Sequence, residues 1–250
     1  MNRPELLAAL RSRPPAERVI TALDVATPDA ARDLARRLGP AAPLVKVGLE
    51  LFSASGPDVV RGLRDAGKRV FLDLKYDDIP NTVAAAARVA AGLGATMVTI
   101  HAGCGRAAMA AAARALATAD RPADAPRPAL LGVTVLTSLS DADLQETAPG
   151  SDTVQDRVVR LAHLAWDSGC DGLVCSAADL PALRGALGPE PLAVTPGIRP
   201  AGGDVQDQKR VATPAGARRD GADFLVVGRP ITRAEDPARA HADIVAQLEA

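Results

Sequence analysis

The chain has 250 residues, 29 Lys plus Arg against 30 Asp plus Glu, a formal net charge of −1 and only 2% aromatic residues. This balance supplies neither a basic face for a nucleic-acid backbone nor stacking platforms for single strands, so any phosphate recognised belongs to a small molecule. Three cysteines without a CxxC pair, three well-separated histidines and a short N-terminal apolar stretch preceded by Glu5 argue against a disulfide framework, a zinc site, a signal peptide and a membrane span.

The expectation is therefore a cytoplasmic protein with no metal and no cofactor, folded as a single domain over residues 1–250, with 1–18 as an N-terminal helical extension. Aliphatic runs then recur in chain order: "VITALDV" near 19, "PLVKVGL" near 43, "RVFLDLKY" near 69, "ATMVTIHA" near 95, "ALLGVTVL" near 129, "GLVCSA" near 172, "LAVTPGI" near 192 and "DFLVVGRPI" near 223. Ala/Leu/Arg segments with helical spacing separate them. Eight such units predict a closed (β/α)8 TIM barrel in preference to an open doubly wound sheet of five or six strands. Thr27-Pro28 is an N-cap followed by proline, and Gly39 is placed to end the same helix. The proline-rich stretch 120–128 reads as a surface loop. Two longer loops, "SLSDADLQETAPGSD" and "RPAGGDVQDQKRVATP", follow the fifth and seventh runs, and Gly202-Gly203 suits the second to act as a lid.

Alternate residues of a strand share a face at about 6.6 Å, so Asp73 and Lys75 are expected to point into the barrel mouth while Leu72, Leu74 and Tyr76 face the helices. Asp24, expected to close the first strand, and Lys46 in the second bring charge to the same end. Signs alternate as Asp24, Lys46, Asp73, Lys75. Buried ion networks are a poor source of stability, so three strands converging in this way point to chemistry. Carboxylates on both sides hold a lysine protonated, which favours a proton donor over a Schiff-base nucleophile. On the far side, Arg199 in "TPGIRP" and Arg229 in "VGRPI" follow the seventh and eighth runs beside glycines, where phosphate-binding barrels hold their phosphate.

Together "ALD" at Asp24, "VKVG" around Lys46, "DLKYDDIPNT" from Asp73 to Thr82, "VTVLTS", "TPGIRP" and "VGRPI" resemble the orotidine 5′-phosphate decarboxylase family, in family order from about Val19 to Ile231. The resemblance implies metal- and cofactor-independent decarboxylation of orotidine 5′-monophosphate to UMP in pyrimidine synthesis. It implies a catalytic array of Lys46, Asp73, Lys75 and Asp78, with Lys75 as the proton donor. Asp78 and Thr82 would be shared across a homodimer interface. Substrate binding would fall to Asp24, Lys46, Asp73, Thr82, Thr137, Pro196, Arg199, Gln208, Gly228 and Arg229, with no nucleic-acid or membrane partner.

Two other readings stay open on the sequence. A sister barrel that uses Mg²⁺ on a sugar phosphate shares the Asp-x-Lys-x-x-Asp segment, but places a metal-ligating Glu where Lys46 stands. A non-catalytic nucleotide binder could keep the phosphate end. His101 is read as a supporting histidine, Cys104 as a thiol without a base, and Trp166 as packing.

Overall fold

Alternating aliphatic runs and amphipathic segments resolve, in the computed structural model, into a closed parallel barrel with strands in sequence order. The structure describes residues 1–148, 150, 153–200 and 212–249. The strands are β1 Val19–Ala22, β2 Leu44–Gly48, β3 Arg69–Tyr76, β4 Met97–His101, β5 Ala129–Val133, β6 Gly172–Val174, β7 Leu192–Thr195 and β8 Phe224–Val227, and β8 pairs back onto β1. Every strand connects to the next through at least one helix, as parallel neighbours require.

The period-2 alternation of the strands divides the apolar residues into two cores. Val45, Val47, Val70, Leu72, Val98, Ile100 and Leu130 face outward and pack with the helices. Ile20, Leu44, Phe71, Met97, Leu131, Leu192, Val194 and Phe224 fill the interior, joined by Leu6, Leu7 and Leu10 from the helix Arg3–Arg11. That helix starts at a capping box in which Glu5 N–H donates to Asn2 Oδ1 and Asn2 N–H to Glu5 Oε2, both at 2.9 Å. Burying each of its leucines is worth roughly 1.5–3 kcal/mol. Trp166 packs against this inner core with the Arg3 guanidinium 3.2 Å from its ring centroid, a packing role as expected.

Several strands stop sooner than their apolar runs. Asp24 does not close β1 but lies two residues past Ala22. Leu23 N–H still donates to Lys46 O at 3.0 Å, yet on the other side the chain at Gly228 turns into the helix Arg229–Thr232, so the ladder ends. Thr27 caps the helix Pro28–Leu38 through Ala30 N–H, and Gly39 ends it at φ +59°, as expected. The stretch after β5 is not all loop: Ser140 and Asp143 form a capping box that starts the helix Asp141–Thr147.

Candidate active site

Three neighbouring strands place a polar side chain two residues beyond an interior apolar one: Lys46 after Leu44, Asp73 after Phe71 and Thr99 after Met97. Inward alternation thus stacks an apolar layer under a polar one at the carboxyl ends of the strands. Lys46 Nζ donates to Asp24 Oδ1 at 2.9 Å and lies 3.8 Å from Asp73 Oδ2. Lys75 Nζ donates to both Asp73 oxygens, at 2.9 and 3.0 Å. The alternating order expected from sequence, Asp24–Lys46–Asp73–Lys75, is therefore a continuous chain of contacts.

Exposure decides which members can meet a ligand. The Lys46 and Asp73 side chains are 11% and 12% exposed, Lys75 28% and Asp24 60%, so the centre of the chain is buried and its two ends open outward. Gly48 is part of this construction, because a Cβ there would stand 2.9 Å from Lys46 Nζ. A larger residue would push the ammonium out of its place between two carboxylates.

The end of β3 departs from the simple pleat. Leu72 pairs with Val98 and Tyr76 with Ile100, so β3 advances four residues while β4 advances two. Lys75 absorbs the excess at φ +50°, and among the described residues it is the one non-glycine with a positive φ. Plain alternation, expected to carry Lys75 to the face of Asp73, is thus corrected: a bulge carries it there. The Lys75 N–H leaves the ladder and donates to Thr99 Oγ1 at 2.8 Å, and the Thr99 hydroxyl donates to Asp73 Oδ1 at 3.0 Å. Thr99 is fully buried and was not singled out in the sequence, where a threonine in "MVTIH" looks like any β-branched strand residue.

Two cavities meet above this chain. One, of about 170 Å³, is lined by Lys46, Asp73, Lys75, Thr137, Pro196 and apolar side chains that include Val133 and Val174. The other, of about 460 Å³, is lined by Asp24, Lys46, Pro196, Gly228, Arg229 and Arg199, with Arg233 also on its wall. Lys46 and Pro196 belong to both, so a small, largely apolar compartment adjoins a basic one. A groove of about 530 Å³ that includes Arg32, Arg36 and Lys68 lies toward the amino ends of β2 and β3. Its arginines pair with Asp29 and Asp33, and Lys68 Nζ donates to the Gly39 and Ala42 carbonyls, so the convergent chemistry is at the other end.

The remaining expected residues fall into place unevenly. Arg199 is buried, its N–H donating to Ala212 O at 2.9 Å, and Ile198 bridges to Ala212, so the chain just after β7 and the chain at Ala212 lie side by side. Gln208 lies outside the described residues, as do Gly202 and Gly203, expected to serve a lid. The helix begun by Arg229 has only four residues, so phosphate binding there would draw on the guanidinium and the Gly228 and Arg229 amides rather than on a helix dipole. Asp78 and Thr82 are not brought to the ion chain: both are exposed, and Asp78 Oδ1 accepts from Ile79 N–H at 2.6 Å. Burial lowers the pKa of His101, keeping it neutral near pH 7, and raises the Cys104 thiol to about 11, which leaves it inert. Among the described residues, no group of three or more His, Cys, Asp or Glu is placed to hold a metal ion, and no helix is long and apolar enough to cross a membrane.

Fold and rim together define a (β/α)8 barrel enzyme whose buried ion chain faces an arginine-lined cavity. The family model described as orotidine 5′-phosphate decarboxylase / HUMPS matches residues 17–244. The orotidine 5′-phosphate decarboxylase of Moorella thermoacetica is 48% identical over 233 residues, covering 93% of this chain and 92% of that protein. That of Anaeromyxobacter dehalogenans is 50% identical over 234 residues, covering 94% and 99%. The crystal structure of the decarboxylase from Lactobacillus acidophilus matches with a TM-score of 0.85 at 40% identity, covering 94% of this chain and all of that one, 100%. The chain belongs to the orotidine 5′-phosphate decarboxylase / HUMPS family.

Proposed function

We propose that the protein converts orotidine 5′-monophosphate to UMP and CO₂ in pyrimidine synthesis, without metal or organic cofactor, and that Lys75 delivers the proton to C6. The observation that carries this reading is the Asp24–Lys46–Asp73–Lys75 chain beneath a compartment sized for a planar ring. Breaking the C6–carboxylate bond leaves its electron pair on a vinyl carbon outside the π-system, where no carbonyl can accept it. A fixed ammonium can offset that charge. Lys75 Nζ then gives its proton to C6 as CO₂ departs, and takes another from solvent before the next turnover. Asp73, held by both lysines, would lie against the departing carboxylate and keep Lys75 aimed.

The wider cavity suits the remainder of the nucleotide. Asp24 would accept from ribose hydroxyls, Thr137 would bind the pyrimidine, Pro196 would wall the ring, and Arg229 with the Gly228 amide would clamp the phosphate, assisted by Arg199 and Gln208. Binding energy at this remote clamp can be used to order the reacting end. The Mg²⁺-dependent alternative is disfavoured by Lys46, whose ammonium occupies the space between Asp24 and Asp73 that a divalent ion would need.

Asp78 and Thr82 sit on the same exposed rim as Ile79, itself 66% exposed, which supports a homodimer in which each subunit completes its partner's site. A cytoplasmic location and the absence of nucleic-acid or membrane partners belong to the same proposal. The test is the loss of orotidine 5′-monophosphate absorbance on adding purified protein in excess EDTA, with UMP identified as product. Conversion that requires added Mg²⁺, or no conversion by folded protein, would overturn the proposal.

A further inference from the structure

We propose that Thr99 is the positioning residue for the proton donor, and that its hydroxyl sets both the backbone of Lys75 and the orientation of Asp73. The inference rests on the decarboxylation reading above. A threonine hydroxyl has a single proton. Since Thr99 Oγ1 accepts from the Lys75 N–H at 2.8 Å, its own proton is free to go to Asp73 Oδ1, 3.0 Å away. The direction of the relay is therefore set, and it requires Oδ1 to be an acceptor. Asp73 Oδ1 then receives Thr99 and Lys75 together, while Oδ2 faces Lys75 at 3.0 Å and Lys46 at 3.8 Å. Without Thr99, the carboxylate would keep only the two lysine side chains, both on flexible stems, and would lose its one bond to a stiff strand residue.

The same hydroxyl holds the bulge. Lys75 sits at φ +50°, a conformation an L-residue keeps only when its surroundings impose it. Its N–H has no ladder partner on β4, because the register shifts between Leu72 and Tyr76. Thr99 supplies the missing acceptor from the strand that lost the pairing. Valine would fill the same space but leave a part-buried N–H unsatisfied, and Lys75 would relax toward the extended region, carrying Nζ with it. The β-branched side chain is stiff at χ1, which makes the hydroxyl a fixed point. Thr99 lines neither cavity, so it acts through Lys75 and Asp73 and has no contact with substrate.

The experiment compares Thr99→Val with Thr99→Ser, measuring kcat and KM for orotidine 5′-monophosphate, melting temperature, and hydrogen exchange at the Lys75 amide. Displacements near 1 Å at a reacting group cost on the order of 100-fold, so Thr99→Val should lower kcat by about that factor with KM within about threefold. Thr99→Ser, which restores the hydroxyl, should return to within about fivefold of the wild type. The Lys75 amide should exchange about tenfold faster in Thr99→Val and be protected in Thr99→Ser, a readout independent of turnover. If Thr99→Val does not fold, Thr99→Ala carries the same comparison, since it only removes atoms. A folded variant without the hydroxyl that keeps wild-type kcat, a serine variant as impaired as valine, or a loss lying wholly in KM would overturn the role of Thr99. An inactive wild type would overturn the reaction and this role together.

Discussion

Replacing Lys75 by alanine and, separately, by glycine distinguishes what its side chain does from what its backbone costs. Both variants remove the ammonium and its two bonds to Asp73, so both should lose turnover, on the order of 10⁴-fold or more for a missing acid and charge stabiliser. Their stabilities should differ. Holding a non-glycine residue at φ +50° costs roughly 1–2 kcal/mol, which alanine retains and glycine does not. Against this, the freer unfolded chain of glycine costs roughly 0.5–1 kcal/mol relative to alanine. Thr99 and the register shift act equally on both variants and cancel in the comparison. The net expectation is that Lys75→Gly is more stable than Lys75→Ala by about 0.75 kcal/mol, at most about 1.5, or roughly 1.5–3 °C in melting temperature for a chain of this size. Calorimetry and urea midpoints measure it. A glycine variant less stable than the alanine variant would show that the backbone at 75 is not held at positive φ. Retained turnover in either variant would refute the proton-donor assignment.

Arg229→Ala should raise KM for the phosphorylated substrate and lower kcat/KM by about 10²–10³, the loss expected for a charge-assisted phosphate contact; an unchanged KM would remove Arg229 from the clamp. Lys75→Ala and Asp78→Ala subunits, each inactive alone, should regain activity when mixed, because a hybrid dimer contains one site with both residues; no recovery would refute sharing across the interface. His241 is buried with Nε2 unpartnered, and burial lowers its pKa below the usual 6.5. Its neutral form is favoured by folding, so its contribution is fully present above pH 6.5 and is lost as pH falls through the lower folded-state value. Melting temperature should drop from pH 7.5 to 5.5, and less steeply in His241→Gln; parallel curves for the two proteins would show that His241 does not titrate with folding.

Eight strands were legible because each carries an aliphatic run bounded by glycine, proline or charge, and in a barrel both faces of a strand are buried. The ion chain was legible too: Lys46 and Asp73 follow apolar residues at an interval of two, a pattern that packing alone does not produce. What the residues could not disclose was where each ladder stops. "VITALDV" is apolar well past Ala22, but the end of β1 is set by Gly228 turning into a helix some 200 residues later in the chain. The helix Asp141–Thr147 was hidden for the opposite reason. It buries little beyond Leu144, so no apolar stripe announces it, and only Ser140 and Asp143 in capping-box register mark its start.

Thr99 was invisible on different grounds, which bear on how the site functions. Read locally, "DLKYDD" is a strand with two inward charges, and period-2 reasoning reaches the correct face for Lys75 by an incorrect route. The chain adds residues to β3, drives Lys75 to a positive φ and satisfies its displaced N–H from β4. An ideal strand would set residues 73 and 75 about 6.6 Å apart along one face. The bulge instead lets Nζ close on both Asp73 oxygens from a backbone that is itself fixed. Strain held by a neighbouring strand is a means of pre-organisation, since an ammonium on a flexible four-carbon stem would otherwise search many rotamers before each turnover. If Lys75 is the proton donor proposed above, the irregularity and the chemistry are one feature. Among the described residues, the non-glycine departure from local rule falls at the proposed proton donor, and the acceptor that permits it lies on another strand.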